Sequence, residues 1–178
     1  ARCTEHHSGG QTVFRTERVR DMVDDRVIRV EASVDIDASV ERTWAVVTDW
    51  AAQGEWIPLT TVAVSPGSPV GLGAQLVART GIGPAAIVDP MEVDVWQPPH
   101  RCEVAHHGRV VTGRGVFLVD ALPNGRSRFT WQEIPESHGI RGAIERVGSP
   151  ISRWALGVAT RKLARVVTTA DPTAPTQS

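Results

Sequence analysis

Four consecutive segments, MEVDVWQ at 91 to 97, RCEVAHH at 101 to 107, VVTGRGVFLVDAL at 110 to 122 and RSRFTWQEI at 126 to 134, are separated only by PPH, GR and PNG. Such connections suit hairpins; parallel neighbours need a crossover of a dozen or more residues. These four are therefore successive antiparallel strands, and whatever covers their apolar face must come from outside the run. Upstream, VIRVEASVDI at 27 to 36 alternates Val27, Arg29, Glu31 and Ser33 with Ile28, Val30, Ala32 and Val34, the period of a half-buried strand. TTVAVSPGSPVGLGAQLVART at 60 to 80 reads as two more strands joined by a Pro/Gly turn.

Helices flank this run. Ser39 is an N-cap, Glu41 lies in the first turn where the helix dipole favours a carboxylate, and Val40, Trp44, Val47 and Ala51 follow at helical spacing until Asp49 to Gly54 breaks the period. After Pro135, HGIRGAIERV predicts a short helix, and Ser149-Pro150 restarts one as cap and first position. Ile151, Trp154, Ala155, Val158, Leu163 and Val166 then mark the apolar stripe of a long terminal helix. One strand, a helical stretch, further strands and a long helix make an α+β arrangement.

The chain has 178 residues, enough for one domain. Residues 1–25 are polar and aperiodic and are expected to be a disordered leader, 26–170 the folded domain and 171–178 a disordered tail. MVDDRVIRVEASV reads as a natural start, so the functional protein is expected to begin at Met22, with truncation before it leaving stability unchanged. With 19 basic against 20 acidic residues, net charge -1 and no charge runs, nothing marks a nucleic-acid or anionic-lipid surface. Cys3 and Cys102 have no disulfide or zinc spacing, no apolar run approaches a membrane span, and a cytoplasmic setting without integral membrane association is expected.

DIDASVERTWAVVTDWAAQGEWIP, the PPHRCEV turn, the GRSRFTWQE strand and the terminal helix together resemble the helix-grip superfamily of START domains, birch-pollen-allergen-like proteins and polyketide cyclase/dehydrase-like (SRPBCC) proteins, over residues 27 to about 169. The resemblance implies a curved antiparallel sheet of about seven strands wrapped around the long C-terminal helix, with an apolar cavity between them. It does not choose among the lipid carriers, hormone receptors, aromatic cyclases and chaperone cofactors of that superfamily.

Because side chains alternate across a strand, polar groups on apolar faces can be found by register. His106 shares a face with Cys102 and Val104, and Glu133 shares one with Phe129 and Trp131, so both are predicted to point inward. In an apolar space, desolvation would push Glu133 up and His106 down in proton affinity, which suits an acid/base pair. The alternative is a satisfied strand-end histidine and a rim carboxylate in water. Met91, Val93 and Val95 form the apolar face of their strand, which leaves Glu92, Asp94 and Trp96 outward unless the register is bulged.

Among six tryptophans, Trp44 fits plain core, while Trp56, Trp131 and Trp154 are candidates for cavity contact, a large ring with one N–H donor suiting a greasy ligand with a polar end. Arg79 is either a solvated charge or a carboxylate anchor. The inward faces add Val93, Val104, Phe117, Phe129 and, on the terminal helix, Val158 as ligand contacts. The Gly81 to Pro84 and Gly113 to Gly115 glycine pairs read as a turn and a strand bulge, not phosphate cradles. Cys3, His6 and His7 form an aperiodic triplet, and neither a metal nor a cofactor is expected.

The leading expectation is a binding protein for a small apolar molecule, lipid or polyketide-like. The runner-up is a polyketide cyclase or dehydratase using His106 and Glu133 as catalytic residues, and the third is an interaction protein of the chaperone-cofactor kind. Ligand identity and oligomeric state lie beyond what periodicity conveys.

Overall fold

A computed structural model describes residues 18–24, 27–135 and 150–169. Among them eight strands form one antiparallel sheet: β1 (Arg18–Asp24), β2 (Val27–Ile36), β3 (Thr60–Val64), β4 (Gln75–Thr80), β5 (Ile87–Gln97), β6 (Arg101–His107), β7 (Thr112–Leu122) and β8 (Arg126–Pro135). Their spatial order is β1-β2-β8-β7-β6-β5-β4-β3. Among the described residues the α-helices are α1 (Val40–Val47) and α2 (Pro150–Thr169). The result is the expected α+β helix-grip arrangement, a curled sheet with the C-terminal helix.

Part of the polar leader joins the sheet. Arg18–Asp24 pairs with β2 from Arg18↔Ser33 to Asp24↔Val27, so residues 18–24 are not outside the fold as their composition suggests. An edge strand draws its stability from ladder hydrogen bonds, and charged residues are what such edges carry, which is why hydropathy does not reveal it. Truncation before Met22 would remove Arg18–Asp21, the ladder partners of Val30–Ser33. Residues 1–17 with their Cys3, His6 and His7 triplet, the predicted short helix in HGIRGAIERV, the Ser149 cap and the tail from 170 lie outside the described residues.

α1 begins where Ser39 Oγ accepts from Arg42 N–H at 3.3 Å, and it buries Val40, Thr43, Trp44 and Val47. Thr43 is satisfied there by Ser127 Oγ at 2.8 Å, and the Arg42 side chain donates to the Val167 carbonyl at 2.8 Å, fastening α1 to α2. The buried face of α2 is Leu156, Ala159, Thr160, Leu163, Ala164 and Val167. This corrects the expected stripe: Trp154 is 64% exposed and Ala155, Val158 and Val166 are only half-buried. The buried face is rich in small side chains, which allow close approach to the sheet, and Thr160 is satisfied by the Leu156 carbonyl at 3.1 Å. Leu163 of the expected stripe lies on this buried face, whereas Trp154 does not.

The register aligns the inward residues of successive strands. Ala32, Trp131 and Phe117 lie abreast, as do Val34, Phe129 and Val119. Trp56, fully buried, sits over this row with ring centroids 6.2 Å from Phe117, 6.1 Å from Phe129 and 5.7 Å from Trp131. A register shift between Val93 and Val95 is the bulge that turns Trp96 back to the core, where its centroid is 5.0 Å from that of Trp44. Gly113 to Gly115, in contrast, pairs on both sides without a register break, so that stretch is regular strand and not a bulge.

Candidate functional site

The described cavity, about 180 Å³, lies between the inner faces of β3 to β8 and the segment after α1. It is lined mainly by apolar side chains, among them Trp50, Ile57, Val62, Met91, Val104, Phe117 and Trp131. Among the described residues three lining side chains are titratable, and they sit together: Asp89 on β5, His106 on β6 and Glu133 on β8.

The strand register explains how residues on non-adjacent strands meet. His106 and Glu133 flank β7, with His106 opposite Gly113 and Glu133 opposite Gly115. A Cβ on Gly115 would stand 3.2 Å from His106 Nε2, 3.5 Å from Glu133 Oε1 and 3.0 Å from Val104 Cγ2. The bare backbone leaves open the gap across which the two side chains face each other, at 3.6 Å between Nε2 and Oε2. On the other side, the His106 Nδ1 proton is donated to Asp89 Oδ2 at 2.6 Å. Trp131 Nε1–H donates to Glu133 Oε1 at 2.7 Å and fixes that carboxylate against the ring.

Burial disfavours a charge on His106, but the hydrogen bond to Asp89 and the proximity of two carboxylates outweigh it and push the imidazole up to about 10 from its ordinary 6.5. That reverses the downward direction expected from desolvation alone, because the Asp89 carboxylate sits at Nδ1. At neutral pH the ring is an imidazolium. Its Nε2 is buried with no hydrogen-bond partner among the described residues, as is Asp89 Oδ1. Three other polar lining groups are engaged: Gln53 Nε2 donates to the Val47 carbonyl, Thr60 Oγ1 to the Pro58 carbonyl, and Thr80 Oγ1 lies 2.9 Å from Thr60 Oγ1.

Of the ligand contacts expected from sequence, Val104, His106, Phe117, Trp131 and Glu133 line the cavity. Trp56, Val93 and Phe129 are core beneath it, each 0% exposed. Arg79 is exposed and donates to the Gly83 carbonyl at 2.7 Å, so it is no anchor within the cavity. Trp154 and Val158 are not among the lining residues either. Sequence reasoning missed Asp89, Trp50 and Gly115. Asp89 shares the face of Met91 and Val93, but Pro90 makes the strand seem to start after it; Pro90 instead lies within β5 opposite Val77. Among the described residues no group of three or more His, Cys, Asp or Glu side chains is placed to hold a metal ion.

A family model described as polyketide cyclase / dehydrase and lipid transport matches residues 27–171. The chain belongs to this family. No curated protein matches it by sequence. Solved structures share the family member's fold at low identity. Zhui aromatase/cyclase from a Streptomyces species is 13% identical, with a TM-score of 0.66 over 80% of this chain and 94% of that one. Protein Ms6760 from Mycobacterium smegmatis is 14% identical, with a TM-score of 0.64 over 86% and 98%. A protein from Arthrobacter aurescens is 16% identical, with a TM-score of 0.66 over 85% and 92%. No helix among the described residues is long and apolar enough to cross a membrane.

Proposed function

We propose that this polyketide cyclase/dehydrase and lipid-transport family member binds one small, largely apolar molecule in the cavity, with the polar end of the molecule received by His106. The carrying observation is the unpartnered Nε2–H of a buried imidazole facing apolar walls, since buried donors ordinarily have partners. A volume of about 180 Å³ is small beside the roughly 300–1,000 Å³ of drug-sized pockets, which favours a molecule of one or two rings over a long acyl chain. Trp50 and Trp131 line the cavity, so binding should quench tryptophan emission, and Trp131→Phe should remove much of the response. Emission that stays unchanged with small aromatic and alicyclic compounds at high micromolar concentration would contradict the reading.

One observation favours cyclase- or dehydratase-type chemistry as a second reading: Asp89 orients His106 and fixes its tautomer, leaving Nε2 to exchange a proton with a bound molecule beside Glu133. In that reading His106 is the acid, Glu133 assists as acceptor, and Asp89 is a positioning residue. Turnover of a small cyclisable polyketide-like compound that collapses in Asp89→Asn and His106→Gln, with affinity held, would select it over simple carriage.

A further inference from the structure

We infer that the cavity selects a neutral, hydroxyl-bearing ring compound, its one hydroxyl lying over Gly115 and bridging His106 Nε2–H to Glu133 Oε2, and that it discriminates against carboxylic acids of the same shape. This rests on the binding reading above and names the ligand class. The separation of 3.6 Å between Nε2 and Oε2 is too long for a direct hydrogen bond, yet one oxygen can reach both atoms. A hydroxyl supplies what each side lacks: a lone pair for the imidazole N–H and a proton for the carboxylate. A ketone or methyl ether supplies only the first.

The charges point the same way. Among the described residues the titratable groups lining the cavity are Asp89, His106 and Glu133, two carboxylates with one imidazole between them. Among the described residues no arginine or lysine lines it to receive an anion, and Arg79, the nearest candidate by sequence, is bonded to Gly83 outside it. A ligand carboxylate placed at Nε2 would face Glu133 across the same gap, where like charges repel in a poorly solvated space. Glu133 cannot turn away at no cost, because Trp131 holds its other oxygen at 2.7 Å.

Gly115 sets where the hydroxyl sits. The missing side chain opens the approach from the cavity to both groups, and a Cβ there would crowd Nε2 at 3.2 Å.

The test is calorimetric titration of the full chain at pH 7 with 2-naphthol, 2-methoxynaphthalene, naphthalene and 2-naphthoate, which share one two-ring skeleton. The naphthol should bind at least tenfold tighter than the methyl ether or naphthalene, since hydrogen bonds to charged groups are the strong ones, and tighter than the naphthoate by a similar factor. In Glu133→Gln the gap between naphthol and naphthoate should shrink severalfold. Equal affinities for naphthol and its methyl ether, or tighter binding of the naphthoate, would overturn the inference while leaving the binding reading intact. If none of the four, naphthalene included, binds at millimolar concentration, the binding reading itself fails and this inference with it.

Discussion

Raising the pH from 6.5 to 9 should cost the fold about 3 kcal/mol through His106. The imidazole titrates at about 10 in the folded protein against an ordinary 6.5. A group whose proton is held more tightly in the folded state contributes its full stabilisation below the unfolded value and loses it as pH rises towards the folded value. The window therefore opens near pH 6.5 and closes near 10. Each pH unit inside it is worth about 1.4 kcal/mol, so the interval up to pH 9 amounts to about 3 kcal/mol and the whole window to about 5 kcal/mol.

Stopping at pH 9 matters because of Cys102. Burial pushes that thiol up to about 12 from 9.0, aided by the charges of Asp94 and Glu103, so the unfolded chain alone ionises it above pH 9 and a second loss of stability begins there. The assay is urea denaturation followed by tryptophan emission at pH 6.5, 7.5, 8.5 and 9 for the native chain and His106→Gln. Subtracting the two curves removes groups that titrate alike in both. The difference should fall steadily by about 3 kcal/mol across the interval. A difference independent of pH would mean that the imidazole is not clamped between Asp89 and Glu133, and the geometry of the site would be refuted.

Asp89→Asn should lower the His106 pKa, read by NMR titration of the ring protons, because it removes one of two carboxylates and leaves burial to act against the charge; an unchanged value would show that Glu133 alone holds the proton. Gly115→Ala should weaken small-ligand binding tenfold or more and cost about 1–3 kcal/mol of stability, as the new methyl meets Val104 Cγ2 at 3.0 Å and His106 Nε2 at 3.2 Å; native affinity by calorimetry would contradict the crowding argument. Leu163→Ala, at a fully buried position of α2, should cost about 2–5 kcal/mol in urea denaturation, whereas Trp154→Ala should cost much less because its ring is 64% exposed; equal costs would mean that the other face of α2 is the packed one.

The fold was legible where hydropathy repeats with the period of the element. Strands β5 to β8 could be placed because alternation and short turns leave antiparallel pairing as the economical solution, and α1 because Ser39 and the Val40, Trp44, Val47 spacing agree. It was illegible where stability comes from something other than large apolar side chains. β1 is held by ladder pairing to β2, and the true face of α2 mixes Leu156, Leu163 and Val167 with two alanines and a self-satisfied Thr160. Trp96 could be placed only conditionally, since one extra residue in a strand reverses every side chain beyond it and the bulge between Val93 and Val95 leaves no mark in composition.

At the site, period-two reasoning identified His106 and Glu133 as facing one space, but it could not say that they face each other. Two residues on strands separated by a third meet only if the middle strand presents nothing between them, and Gly115 is where β7 presents nothing. A glycine within an alternating strand is thus as informative as the charged residues it separates. The same holds for Asp89, whose Oδ1 lies 2.7 Å from where a Cβ of Gly108 would stand. Each end of the carboxylate–imidazole–carboxylate row is accommodated by a glycine on a neighbouring segment. Desolvation argued from His106 alone gave the wrong sign for its proton affinity, because in a packed interior the nearest charge outweighs the medium and that charge sits 17 residues away along the chain.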